Sequence, residues 1–142
     1  MPMKKTLSFV VLFVILLLAL AACGVVDSIV DDPLDGTSWK LSAFGKTSPI
    51  PGTTVTASFE EGQIRGSTGC NTYFGSYQIR GDKISIGEMG WTEMACLTPE
   101  GVMDQEQKFV GILGDAQTFN LVGGQLLIYW TDHQALTFDP QD

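Results

Sequence analysis

Three cysteines and one histidine are the side chains whose types could support covalent chemistry: Cys23, Cys70, Cys96 and His133. A thiol can be acylated, can form a disulfide, or can attack a substrate when a neighbouring histidine takes its proton. The chain contains neither C-x-x-C nor H-x-x-x-H spacing, nor clustered carboxylates of the kind that bind a metal. We therefore predict no metal and no other cofactor.

Cys23 follows a segment with the three-part pattern of a secretory signal. Lys4 and Lys5 supply a positive start, and an apolar stretch runs from Leu7 to Ala22. Leu20-Ala21-Ala22-Cys23 then matches the lipobox of bacterial lipoproteins. There the cysteine thiol takes a diacylglyceryl group, and the small residues give a peptidase access to the preceding bond. We predict cleavage before Cys23 and lipidation of its thiol; the alternative is an uncleaved anchor helix.

Lipidation would make the membrane the first partner of this protein. Acyl chains on one cysteine anchor a domain at about 0.8 kcal/mol per buried methylene. The predicted location is the cell envelope, on the extracytoplasmic side. The residue after Cys23 is Gly24, whereas aspartate at this position signals inner-membrane retention in Gram-negative cells. Gly24 therefore permits transfer to an outer membrane if the source has one.

Cys70 and Cys96 remain as a pair once Cys23 is lipidated. Disulfides persist in oxidising compartments outside the cytoplasm, so the sequence predicts a Cys70–Cys96 bridge. The alternative is a reactive cysteine acting with His133. It lacks a local nucleophile signature and requires a free thiol.

The charge of the chain excludes some classes of partner. It has 8 basic and 16 acidic residues, a net charge of −8. Loss of Lys4 and Lys5 with the signal would bring the net charge to −10. Nucleic acids and anionic lipid headgroups require a basic face. We therefore predict no nucleic-acid partner.

Short alternating segments after the signal predict about eight β-strands. Glu61-Gly62, Gly81-Asp82 and Gly123-Gly124 are typical of tight hairpin turns between them. The predicted strands, by residue number, are 37–44, 54–59, 63–67, 71–80, 83–89, 118–122, 125–130 and 135–138, and residues 91–97 are also expected to be extended.

One amphipathic helix is predicted after the strands around the second cysteine. Thr98-Pro99-Glu100 has the residue types of a helix start, with a capping hydroxyl, a proline and an acidic residue in the first turn. Val102, Phe109 and Leu113 would share its apolar face, and Gly114 would end it. The hairpin turns between the predicted strands are too short to make parallel crossovers, so the strands they join must be antiparallel.

The predicted fold class is therefore α+β: a small antiparallel β-barrel or strongly bent sheet of about eight strands with one amphipathic helix. The predicted organisation is a lipoprotein signal peptide (1–22), a lipidated tether (23–33) and one domain (34–142).

The segment Gly66-Ser67-Thr68-Gly69-Cys70-Asn71-Thr72-Tyr73-Phe74-Gly75-Ser76-Tyr77 resembles the central signature of the META domain (HslJ-like) family. Leu34–Leu41 resembles the opening strand of that family, and Met89–Cys96 resembles its second cysteine motif. Glu106, Phe109 and Leu113 fit the helix that follows, and residues 126–138 fit the closing hairpin. The resemblance covers about residues 34–139.

The resemblance implies a small antiparallel barrel with one helix, often attached to a lipoprotein signal. It implies no enzymatic activity, because the family has no established one. Members have been linked to heat response, antibiotic tolerance and, in a protozoan relative, motility and secretion. No catalytic or ligand-binding residue can be carried over from these links.

The Gly69-Cys70-Asn71 turn is the most distinctive local feature. One interpretation is a recognition turn that presents Asn71 and Tyr73 to a partner. The other is structural: asparagine tolerates unusual backbone angles and bonds neighbouring backbone, so Asn71 would hold a bulge beside the disulfide. The structural interpretation is favoured. Trp39, Trp91 and Trp130 are expected in the core or at the barrel mouth, with Trp91 the most exposed.

The function predicted from these features is a membrane-tethered, non-enzymatic binding or assembly module of the bacterial cell envelope, with an envelope protein as partner. A role in the stress response is left open. The alternative is an inhibitor of an extracytoplasmic hydrolase that uses a disulfide-braced loop as its blocking element. A hydrolase using Cys70 and His133 is the third and least favoured hypothesis.

Overall fold

Eight antiparallel strands form a closed barrel in the computed structural model, which describes residues 31–141. Each strand pairs with its sequence neighbours, and β1 pairs with β8 to close the ring. This confirms the predicted fold class. Cys23 and the predicted signal lie outside the described residues. The strands are β1 (Thr37–Phe44), β2 (Thr56–Glu60), β3 (Gln63–Ser67), β4 (Thr72–Arg80), β5 (Lys83–Trp91), β6 (Thr118–Val122), β7 (Gln125–Thr131) and β8 (Gln134–Pro140).

Alternation of side chains along the strands fills the barrel. In β4, Tyr73, Gly75, Tyr77 and Ile79 point inward while the residues between them are exposed, as predicted. This period of two places every second residue on the same face of a strand. The core also takes in large side chains from the other strands and the helix, including Phe59, Phe109, Leu126, Leu136 and Phe138.

The predicted glycine turns join consecutive strands. Glu61 (φ 49°) and Gly62 (φ 75°) both have positive φ in the β2–β3 connection. A two-residue hairpin needs such angles at both central positions, so that its twist matches the twist of the strands. Gly81-Asp82 connects β4 to β5, and Gly123-Gly124 connects β6 to β7.

The barrel has one weak seam, between β5 and β6. These two strands share the single residue pair Lys83↔Thr118, whereas β4 and β5 are paired along most of their length. Helix α1 (Val102–Gly114) connects the two strands and packs against β5. Phe109 and Leu113 of α1 are fully buried in the core. The helix therefore covers the opening that the short pairing leaves.

The predicted start of the helix is wrong. Thr98 and Pro99 lie in the turn before α1, which begins at Val102. Gly101 precedes it with φ +82°, a left-handed angle that an α-helix cannot include, and no side chain caps this end. The predicted end at Gly114 is confirmed, as is the burial of Val102, Phe109 and Leu113.

Residues 91–97, which are expected to be extended, do not form a strand of their own: β5 ends at Trp91, and Thr92–Leu97 form no regular strand. Part of this segment is held by a side chain instead of a neighbouring strand, as described below.

Among residues 31–141, Asp32 already contacts the barrel, two residues before the predicted domain boundary. Asp32 Oδ2 accepts a 2.6 Å hydrogen bond from the Tyr77 hydroxyl, and Leu34 is fully buried. Within residues 31–141 no helix is both long and apolar enough to cross a bilayer.

Candidate functional site

A disulfide joins Cys70 to Cys96, as predicted, with the two Cα atoms 6.0 Å apart. It ties the turn before β4 to the segment that leads into α1. Because both sulfurs are in the bridge, neither is a free thiol. The alternative of a reactive cysteine assisted by His133 is thus not supported. His133 lies exposed in the β7–β8 turn.

Asn71, beside the bridge, is only 1% exposed. Its side-chain oxygen accepts hydrogen bonds from Met94 N–H and the Thr92 hydroxyl, both at 2.8 Å. Its Nδ2 group donates to the Met94 carbonyl at 3.1 Å and to Glu106 Oε1 at 2.9 Å. The Asn71 amide therefore has a partner for each of its donors and two for its oxygen.

Glu106 is the buried acid at the centre of this network. Its Oε2 atom accepts hydrogen bonds from Asn71 N–H, at 3.1 Å, and from the Thr68 hydroxyl. No cation pairs with it among residues 31–141. A buried carboxyl group is costly unless it is hydrogen-bonded, so these donors are what allow Glu106 to lie here. The network joins the β3–β4 turn to the middle of α1.

The Asn71 side-chain amide makes the hydrogen bonds that a neighbouring β-strand would make. It accepts from the N–H of Met94 and donates to the C=O of the same residue, as a paired strand would. Thr92 N–H donates to Thr72 O at 3.0 Å on the same side. The segment after β5 is thus held against the barrel without belonging to its sheet.

Tyr73, the second residue of the predicted recognition turn, is fully buried. Its hydroxyl donates to Thr56 O at 2.8 Å, and its ring meets Phe109 edge to face at 5.3 Å between centroids. Burial raises the pKa of the Tyr73 hydroxyl. The polar side-chain atoms of Asn71 and Tyr73 are hydrogen-bonded within the domain, and the structural interpretation of the turn agrees with these contacts.

An open groove of about 460 Å³ lies directly above the network, between α1 and the segment after β5. Its walls are mostly apolar: Trp91, Met94 and Ala95 on one side, and Met103 and Val110 on the other. Asn71 and Glu106 form part of its lining, together with Glu93, Gln107 and Gly111.

The residues around this groove are unusually exposed for their type. Trp91 is 45% exposed and Met94 is 57% exposed, whereas Trp39 is buried. Leu97, in the same segment, is 88% exposed. Exposed apolar side chains grouped beside a groove are typical of binding surfaces. Methionine adds adaptability, because its unbranched side chain fits differently shaped partners.

The opposite side of α1 has a different character. There a second groove includes Lys46, Lys108 and His133, and the Lys108 ammonium lies 5.3 Å from the centre of the Phe44 ring. The helix therefore separates an apolar groove with acidic residues from a groove with basic ones. Among residues 31–141 no group of three or more His, Cys, Asp or Glu side chains is placed to hold a metal ion.

Sequence reasoning missed the groove and the role of Glu106 in its floor. It also missed Gln105, which is buried and bonds Ile50 N–H at 2.7 Å and the Thr53 hydroxyl at 3.0 Å. A signal was present: both residues fall within the apolar stripe defined by Val102, Phe109 and Leu113. Polar residues inside such a stripe must find buried partners.

Comparisons with known proteins agree with this architecture. The family model described as META domain matches residues 32–142. An NMR structure of a protein from Burkholderia xenovorans is 28% identical, with a TM-score of 0.63, and the match covers 81% of this chain and 94% of that one. The crystal structure of a DUF4847 family protein from Bacteroides vulgatus shares the fold at 18% identity and a TM-score of 0.54, covering 80% and 99% of the two chains. The search of curated proteins gave no match.

Proposed function

Since the chain belongs to the META domain family, we propose that it is a lipid-anchored, non-enzymatic binding module of the bacterial cell envelope that takes a partner into the groove beside α1. The observation that carries this proposal is the groove itself. It is open and mostly apolar, and Trp91 and Met94 are exposed at its wall, whereas Trp39, Phe59 and Phe109 are buried in the core. Such exposure costs solubility unless a partner covers it.

The interior of the site supports binding over catalysis. The Glu106 carboxyl group and the Asn71 amide are both engaged by protein donors and acceptors. A general base needs a free lone pair aimed at a substrate proton. The hydrogen bonds of these two groups hold α1 and the segment after β5 in place on either side of the groove.

The attachment of the tether is compatible with this role. Asp32 bonds Tyr77, which is six residues along β4 from Asn71. At about 3.3 Å per residue, this places the start of the described chain roughly 20 Å from the groove. A lipid on Cys23 would then hold the barrel to the membrane while the groove stays accessible to other envelope components.

In-cell photo-crosslinking of the full lipoprotein tests the proposal. A photoreactive residue replacing the groove residue Gln107 should capture a defined envelope partner, and one replacing the exposed β6 residue Asn120 should not. Trp91→Ala should reduce capture from position 107. Equal capture from both positions, or no capture from position 107, would overturn it. Model esters, peptides and glycans should show no turnover.

Lipidation has its own test. Cys23→Ser should abolish incorporation of labelled palmitate. Cys70→Ser should leave palmitate incorporation unchanged, because the proposed acylation site is Cys23. Labelling that survives Cys23→Ser would contradict the anchor.

A second function is favoured by one observation: Leu97 is 88% exposed on a segment that the Cys70–Cys96 bridge braces. A rigid loop with an exposed apolar side chain suits inhibition of an extracytoplasmic hydrolase, because little entropy is lost on binding. A panel of proteases and lysozymes assayed with and without the protein tests this function. Inhibition that Leu97→Asp removes would support it, and no inhibition of any member would exclude those enzymes as targets.

A further inference from the structure

In the segment Thr92–Cys96, Thr92 and Met94 direct backbone groups to the edge that faces Asn71 and Thr72. Thr92 N–H bonds Thr72 O, and both Met94 groups bond the Asn71 amide. Cys96 departs from this pattern, because its N–H lies 3.4 Å from the sulfur of Met103 in α1. In an extended chain the N–H and C=O groups of alternate residues point to opposite edges.

Glu93 and Ala95 therefore direct their backbone groups to the other edge. Neither residue makes a backbone hydrogen bond to another described residue, and both are exposed. This edge continues the side of β5 that faces α1, where β5 pairs with β6 only at Lys83. An unpaired edge of this kind can accept an added strand.

Side chains beside the same edge define what the added strand would contain. Trp91, Met94 and Met103 offer apolar surface in the groove. Glu93 adds an exposed negative charge to the lining, and the Glu106 carboxyl group below has no cationic partner among residues 31–141. Charge complementarity calls for a partner that brings a cation.

We propose that the groove binds an extended polypeptide segment of its partner by strand addition along Glu93–Ala95. The bound segment has apolar side chains at alternate positions and at least one lysine or arginine that reaches Glu93. This inference rests on the proposed function and names the chemistry of the partner. A small apolar molecule in the same groove is the competing outcome, since it would need no backbone hydrogen bonds.

The test uses a random decapeptide library displayed on phage and selected against the full lipoprotein in detergent. The selected peptides should alternate apolar with polar residues and carry lysine or arginine. Binding should protect the Glu93 and Ala95 amides from hydrogen exchange. The backbone nitrogens of the best peptide form two alternating sets, and only one set would face the edge of the protein. Methylation of that set should weaken binding at least about tenfold, and methylation of the other set should have a smaller effect.

Variants of the protein complete the test. Ala95→Pro removes one N–H of the edge and should weaken the same peptide about tenfold, while the matched control Ala95→Gly keeps that N–H and should have a smaller effect. Glu93→Gln should weaken binding and reduce its salt dependence. Disulfide formation and thermal unfolding show whether each variant folds.

Three results would overturn the inference: no selected peptide, peptides that bind without protecting the Glu93 and Ala95 amides, or peptides indifferent to backbone methylation. Crosslinking from position 107 separates this failure from that of the proposed function. If the groove captures a partner in cells but strand addition fails, the groove remains the binding site and only the mode of binding is wrong.

Discussion

The Nδ2 atom of Asn71 lies 2.9 Å from Oε1 of Glu106, and this hydrogen bond joins the start of β4 to the middle of α1. Both side chains are buried, at 1% and 4% exposure. The bond holds the helix against the segment that forms the other wall of the groove. Stability of the barrel and shape of the groove are therefore coupled through one residue pair.

Asn71→Ala should lower the free energy of unfolding by about 3 kcal/mol. It removes the side-chain bonds to Thr92, Met94 and Glu106 and leaves part of the Glu106 carboxyl group buried without its donor. Urea denaturation measures the loss. The matched control is Asn120→Ala on exposed β6, which should stay within about 0.5 kcal/mol of the parent. Equal effects at the two positions would contradict the network.

The strands were predictable because their information is local. Alternation in β4 and the turn residues Glu61-Gly62 and Gly123-Gly124 determine strand direction and connection within a few residues. The cysteine count also predicted the Cys70–Cys96 bridge, because the proposed lipidation of Cys23 would leave one pair.

The errors arose where tertiary contacts replace local ones. Thr98-Pro99-Glu100 has the residue types of a helix start, but the positive φ of Gly101 separates it from α1. Thr92–Leu97 alternates like a strand, yet its Met94 backbone is bonded by the Asn71 amide, more than 20 residues away in sequence. A groove formed by a helix and such a segment cannot be read from the periodicity of either one.

Loss of the disulfide should lower the free energy of unfolding by about 3.5 kcal/mol on the chain-entropy model, for a sequence separation of 26. The double variant Cys70→Ala with Cys96→Ala, compared with the parent by urea denaturation, measures this loss. Hydrogen exchange should increase most in residues 92–97, where the bridge holds one end of the segment. Uniform loss of protection through β7 and β8 without change in residues 92–97 would contradict this placement.

Alkaline pH should destabilise the barrel through its buried tyrosines. Burial raises the pKa of Tyr77, and the hydrogen bond from its hydroxyl to Asp32 and the nearby negative charge raise it further. The unfolded chain releases this proton above about pH 10 and the folded chain retains it. The contribution of Tyr77 to the free energy of unfolding should therefore be constant below about pH 10. Above that pH it should fall by about 1.4 kcal/mol per pH unit.

Tyr77→Phe tests this assignment, because it removes the titrating hydroxyl. The variant should be less stable near neutral pH, since Asp32 loses its donor, but its stability should fall less steeply above pH 10. Tyr73→Phe should also reduce the slope, because burial raises the pKa of Tyr73. Urea denaturation at several pH values from 8 to 12 gives the slopes. Identical slopes in Tyr77→Phe and the parent would show that Tyr77 ionises equally in both states.

Two glycines should respond to alanine in opposite directions. At Gly66 in β3, an added Cβ would collide with the Thr56 carbonyl in the neighbouring strand, and backbone can move aside only by disturbing the sheet. Gly66→Ala should therefore cost about 2 kcal/mol or more. At Gly111 in α1 an added Cβ meets no atom within 4 Å. Gly111→Ala should stabilise the protein by up to about 1 kcal/mol, because alanine loses less conformational entropy in a helix.

Thermal unfolding of the two variants beside the parent measures both effects in one experiment. Gly111 also lines the groove, so the same variant adds a methyl group to its wall without disturbing the barrel. A stabilised Gly111→Ala protein that captures less partner from position 107 would link the groove directly to binding. Destabilisation by Gly111→Ala would show that α1 is packed more tightly at this position than its open surroundings indicate.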